Sequence, residues 1–265
     1  MLIERSRKIF KAAGAERLYV TAPDLRFYLT GFASTDGCVV ADESGTTFYT
    51  DARYLEAASA ALSGSGIAVK QPPRGGYSAL AEGAKTLATS LSRTTAAEYL
   101  ELSAKAEKIT DCTSAFEEAM SVKEECELAA IQKACEIADK AYLDTLGVFK
   151  EGMTENEAAA ELEYRMRKYG AGGTSFETIM AFGEGSSVPH HETGERKLKF
   201  GDIILIDFGC KWGGYCSDCT RTLLFGDDKK HEEFKKAYEK VLEAHFAAKQ
   251  KITSGMTGRE ADETA

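Results

Sequence analysis

The chain of 265 residues is 43% hydrophobic and 28% charged with four prolines, a globular composition that fills one large domain or two ordinary ones. Its 33 lysines and arginines stand against 42 aspartates and glutamates, a formal net charge of -9, so there is no basic stripe to meet nucleic acid or an anionic membrane. Charges at Glu4, Arg5, Arg7, Lys8 and Lys11 exclude a signal-peptide apolar stretch there, and no later run approaches the roughly 20 apolar residues of a membrane span. Seven cysteines without small-domain spacing fit a reducing compartment, which makes the cytoplasm the expected location.

In chain order, residues 17–21 and 37–41 read as short strands, and a turn at 42–45 folds 46–50 back as a hairpin partner rich in β-branched and aromatic residues. Asp51 is placed to cap a helix through residue 60. Residues 67–69 read as a strand and 77–87 as a helix. The first 118 residues therefore predict a small α/β domain with a mixed sheet, and residues 119–265 a second domain opening on a long charged helix. In that helix Leu128, Ile131, Cys135, Ala138, Tyr142 and Leu146 recur at three- or four-residue spacing and predict the buried stripe, ending near Gly147.

Gly152-Met153-Thr154 followed by Glu157 predicts a capping box and a helix to about residue 167. The pattern returns in a long helix over 232–249 and in Gly255-Met256-Thr257 followed by Glu260. After the first copy come strands, a glycine-rich turn, a histidine pair and an aspartate-bearing hairpin; after the second come only eight residues. The repeat offset predicts that roughly a hundred further residues belong beyond Ala265.

The run Ile203 to Phe208 reads as a strand apolar on both sides, where the charge of Asp207 is expensive unless paired or bound to metal. Asp202, at the start of the strand, reads as a solvated turn residue. The chain turns through Lys211-Trp212-Gly213-Gly214 and returns. If the turn is centred between Trp212 and Gly213, Asp207 and Asp218 are direct cross-strand partners with β-carbons about 4.5–5.5 Å apart on one face. Two carboxylates so placed repel unless one is protonated or a cation sits between them, and a metal pair about 3.5–4 Å apart suits them, one bridging and one chelating. The alternative is a structural carboxylate cluster that recruits Arg221 or Lys211, and a bulge would break the pairing.

Upstream, a glycine- and serine-rich turn followed by Pro189-His190-His191 puts two imidazoles in a loop near the hairpin, where either can donate to a carbonyl or its developing oxyanion. A solvent-exposed pair without a role is the alternative. Cys216 and Cys219 form a CxxC, but period-two alternation points them to opposite faces, against a zinc or redox pair.

The segments FETIMAFGEGSSVPHH, KFGDIILIDFG and GGYCSDCTRTLLFG, all within residues 173–226, closely resemble the creatinase and aminopeptidase P family of pita-bread proteins, above all its Xaa-Pro aminopeptidases and Xaa-Pro dipeptidases. The resemblance implies an α/β creatinase-like N-terminal domain and an incomplete α+β pita-bread catalytic domain lacking its C-terminal portion. It implies Asp207 and Asp218 as metal ligands for two divalent ions, typically manganese or cobalt, with Asp218 bridging. His190 matches the family histidine that contacts the substrate carbonyl or leaving group, and His191 the position beside it in the substrate site.

The implied reaction is hydrolysis of the bond before proline in peptides or dipeptides by a metal-activated water, in a homodimer when full length. One further histidine and two glutamates of the family site match nothing up to Ala265, so the isolated chain is expected to be inactive. A non-catalytic fragment or pseudoenzyme of the same family is the alternative. Creatinase-type chemistry, which dispenses with metals, is disfavoured by the presence of both aspartates.

Overall fold

The computed structural model describes residues 2–226 and 231–265, which fall into two compact units, Met1–Leu128 and Ala129–Ala265. In the first, α1 (Leu2–Ala13), β1 (Arg17–Val20), α2 (Pro23–Thr30), β2 (Cys38–Asp42), β3 (Gly45–Tyr49), α3 (Ala52–Ala61), β4 (Ile67–Lys70), β5 (Leu87–Thr89), α4 (Ala96–Ser103), β6 (Ile109–Asp111) and α5 (Thr113–Ser121) follow in order. The strands form one sheet in the order β4-β3-β2-β1-β5-β6. It is mixed, because β1, β2 and β3 pair antiparallel while β4, β5 and β6 join in parallel. Alternation along its strands feeds two cores: Leu18, Val20, Val39 and Phe48 pack on one face, Tyr19, Cys38, Val40 and Leu87 on the other. Asp51 caps α3 as expected, accepting from the Arg53 amide at 2.9 Å.

Residues 77–87 are not one helix. A 3-10 turn at Tyr77–Ala81 ends before Gly83, which adopts φ +75°. Leu87 and Ala88 then enter the sheet fully buried between β1 and β6. Helical spacing over so few residues is overridden when a central strand position takes the segment.

The second unit begins within α6 (Glu125–Leu146), then α7 (Glu155–Lys168), β7 (Gly173–Thr174), β8 (Ile179–Phe182), a 3-10 turn at Gly183–Ser187, β9 (Ile203–Phe208), β10 (Cys210–Trp212), β11 (Tyr215–Cys216), β12 (Cys219–Leu224), α8 (Glu232–Lys251) and α9 (Gly258–Asp262). Two three-stranded sheets result, β12-β9-β8 and β11-β10-β7. The buried face of α6 is rotated by one residue from the expected stripe. Ala130, Ala134, Ile137, Ala138 and Ala141 are buried, whereas Leu128 and Cys135 are exposed. Close approach decides this: the Cys210 thiol lies 3.2 Å from the Ala134 carbonyl, and a larger side chain there would push the sheet away.

Both capping boxes form, Thr154 with Glu157 and Thr257 with Glu260. Helix α8 buries none of its residues. No helix of the described residues is long and apolar enough to cross a membrane.

Candidate active site

The hairpin turns one residue later than the sequence suggests. Gly213 and Gly214 both lie at positive φ, +56° and +84°, the requirement of a two-residue turn whose twist matches the strands it joins. Trp212 therefore pairs with Tyr215 and Lys211 with Cys216. The same register runs on through β9 and β12, so Asp207 faces Thr220 and not Asp218. Thr220 donates its hydroxyl to Asp207 Oδ1 at 2.9 Å.

Asp218 falls in the gap between β11 and β12, one residue before the β12 ladder starts at Cys219. The chain crosses itself tightly there: the Ser217 carbonyl occupies the space a side chain at Gly209 would need. Asp218 precedes the partner of Asp207 by two residues, so the two aspartates are not direct cross-strand partners. The strand is also less buried than expected. Ile204, Ile206 and Phe208 are fully buried, while Ile203, Leu205 and Asp207 are half-exposed.

On its other side β9 pairs with β8, and Asp207 faces Ile179. Thr220, Asp207 and Ile179 thus form one cross-strand row on one face of the sheet. Ile179 also borders a cavity of about 210 Å³, shared with Glu177, Thr178, Glu192 and the imidazoles of His190 and His191. The Thr178 hydroxyl in that wall is buried and has no hydrogen-bond partner among the described residues. His190 is exposed.

His191 is held. Its Nε2 lies 2.9 Å from Glu155 Oε2 and donates to it when that nitrogen carries the proton. Its ring lies on Gly185, where an added Cβ would come within 2.8 Å of His191 Cε1.

No local pattern marks Glu155, because Glu157 accounts for the capping box. The Glu155 side chain is 1% exposed. Oε1 accepts from the Phe182 amide at 2.9 Å and Oε2 also accepts from the Gly194 amide at 3.0 Å. The free side of β8 explains the first of these bonds. Strand β8 pairs with β9 on one side only, and alternate amides point to its open edge. Thr193 Oγ1 takes the Met180 amide at 2.8 Å, and Glu155 takes the next, Phe182.

Asp202 is no solvated turn residue. It accepts from Arg196 Nη1 at 2.8 Å and from the Lys199 amide at 2.9 Å, while Arg196 Nη2 also reaches Glu184 at 2.8 Å. Partial burial raises the Asp202 carboxyl, but Arg196 and the amide outweigh it and hold it below the usual carboxylate range. The hydrogen bond from Arg196 brings Glu184 down to about 2.

For a divalent ion, Asp207 and Asp218 offer hard carboxylate oxygens of the right chemistry. They fall short in number: among the described residues no third histidine, cysteine, aspartate or glutamate completes a metal-sized group.

Residues 129–265 match Metallopeptidase family M24, and residues 3–120 match the Creatinase/Prolidase N-terminal domain. The chain belongs to metallopeptidase family M24. Within M24 it is similar to the uncharacterized peptidase YqhT of Bacillus subtilis, 32% identical over 99% of this chain and 75% of that one. The Xaa-Pro dipeptidase of Pyrococcus horikoshii is 40% identical over 54% of this chain and 40% of its own length. Among solved structures, the Xaa-Pro dipeptidase from Bacillus anthracis superposes with a TM-score of 0.89 at 32% identity, over 99% of this chain and 75% of that one. The M24 chain thus pairs a Creatinase/Prolidase N-terminal domain with part of a pita-bread peptidase domain, and spans 40–75% of the length of these relatives.

Proposed function

We propose that this chain carries the substrate-facing wall and two metal ligands, Asp207 and Asp218, of a proline-specific metallopeptidase, an Xaa-Pro aminopeptidase or dipeptidase. The supporting observation is the row Thr220, Asp207, Ile179, which joins a carboxylate on β9 to the wall of the cavity that His190 borders. Two divalent ions, manganese or cobalt, would supply there a water of lowered pKa. Thr220 holds the Asp207 carboxylate in place, and His190 donates to the scissile carbonyl oxygen as it gains charge. His191 borders the same cavity, and the unpartnered Thr178 hydroxyl offers a hydrogen bond to a peptide lying in it. The reading includes a proline-containing peptide or dipeptide as partner, a homodimer in the full-length protein, and a cytoplasmic setting in keeping with seven free thiols.

The test is calorimetric titration of manganese(II) into the native chain, D207N and D218N, with alanyl-proline hydrolysis followed alongside. Binding in the native chain that weakens at least tenfold in both variants supports the reading; equal binding in all three overturns it. A second reading, a non-catalytic member of the family, draws on the incomplete ligand group among the described residues. Hydrolysis of alanyl-proline by the metal-saturated native chain, lost in D207N and D218N, rules it out.

A further inference from the structure

We propose that Glu155 is a positioning residue for His190, acting through the imidazole of His191. The inference rests on His190 facing substrate, as argued above.

The segment that carries His190 has little to hold it. Val188, Pro189, His190 and Glu192 are all exposed. On the upstream side the Val188 amide bonds the Gly185 carbonyl at 3.0 Å, and Pro189 restricts its own φ. On the downstream side Thr193 is tied to β8 through Met180 and Thr178. Between them, among the described residues, the loop is held by the side-chain hydrogen bond from His191 to Glu155. It acts on the residue next to His190, so it sets the direction in which the His190 imidazole leaves the backbone.

Glu155 suits that task. It opens α7, whose first turn is fixed by the Thr154 capping box, and a rigid element places a side chain better than a loop does. Its carboxyl group is buried, so each hydrogen bond is made without competition from water. It joins two segments distant from it in sequence: the end of β8 at Phe182, and the histidine loop at both His191 and Gly194. The His191 ring also sits against Gly185 of the 3-10 turn, so closely that a Cβ there would meet it at 2.8 Å. A glutamate that served β8 alone would need only the Phe182 amide. Its second oxygen is given to the histidine loop.

The test reads order at His190 and needs neither metal nor substrate, so it is independent of the hydrolysis and titration experiments above. Backbone amide relaxation is measured at His190 in the native chain, H191Q, H191F and E155Q. Glutamine at 191 keeps an N–H donor within reach of Glu155; phenylalanine keeps the flat ring and removes the donor. Expected order parameters are near 0.85 in the native chain and H191Q and below about 0.6 in H191F and E155Q, with β9 amides unchanged. The imidazole Nε2–H signal of His191 should be protected from exchange in the native chain and lost in E155Q. Native order at His190 in H191F, or equal loss in H191F and H191Q, overturns the proposal. Should E155Q fail to fold, the two His191 variants decide alone.

Discussion

Thr220 stands directly across from Asp207 and donates to its Oδ1 at 2.9 Å. The hydroxyl fixes one carboxylate oxygen and so fixes where the other points. T220V removes that bond and keeps the shape and the strand preference of the side chain. A net hydrogen bond is worth about 0.5–1.5 kcal/mol, and this one lies at a partly exposed site, so unfolding free energy should change by less than about 1 kcal/mol. Manganese(II) affinity should fall about tenfold, the usual cost of losing a partner that orients a ligand. Urea unfolding and calorimetric titration measure the two separately. Unchanged affinity would show that the carboxylate is oriented by something other than Thr220.

The register depends on the two glycines of the hairpin turn, and they are not equivalent to substitution. Asparagine tolerates the left-handed conformation and favours the first position of such a turn, and a Cβ at Gly213 meets only the Ala130 methyl at 3.8 Å. G213N should leave stability within about 0.5 kcal/mol of native. Gly214 sits at φ +84°, where a β-branched residue is strained, and G214V should cost about 1–3 kcal/mol. Urea midpoints for the two variants check this. Equal costs would mean the turn is not of the two-residue type.

The alanine face of α6 makes a prediction opposite to the one its larger residues suggest. Ala134 is fully buried with Cys210 against its carbonyl, while Cys135 is exposed. A134L should destabilise by about 1–3 kcal/mol through overpacking, and C135A should change stability by less than about 0.5 kcal/mol. Thermal melts of the pair measure it, and a tolerated A134L would place the sheet farther from the helix than the structure does.

What was legible in the sequence follows from how local each cause is. The caps at Asp51, Thr154 and Thr257 could be read because a cap is a relation among four neighbouring residues. The strand at Ile203–Phe208 and the His190, His191 loop could be placed for similar reasons. The expected partner of Asp207 lies two residues from the observed one, because Gly213-Gly214 and Trp212-Gly213 both look like turn centres until the φ values are known. Glu155, Thr193 and Arg196 left no signal, since each acts on residues far from it in sequence or across a loop. A side chain that serves the open edge of a strand cannot be recognised before the edge is known.

Arg196 links Glu184 at the 3-10 turn to Asp202 before β9, and that link should be visible in the acid limb of stability. Both carboxyls are held below their ordinary values of about 4 in the folded chain, Glu184 down to about 2 and Asp202 in the same direction. Between the folded and unfolded values the unfolded chain binds more protons, so their stabilising effect is complete above about pH 4 and is lost as pH falls toward 2. Glu184 is largely in water, and salt screens its share, so most of the effect belongs to Asp202. R196M should cost about 1–2 kcal/mol at neutral pH, with Asp202 left partly buried without its cation. The gap between native and variant should narrow below pH 4, once protonation relieves the stranded carboxylate. Urea midpoints at pH 7, 4 and 2.5 trace it, and a gap independent of pH would show that Arg196 contributes by packing alone.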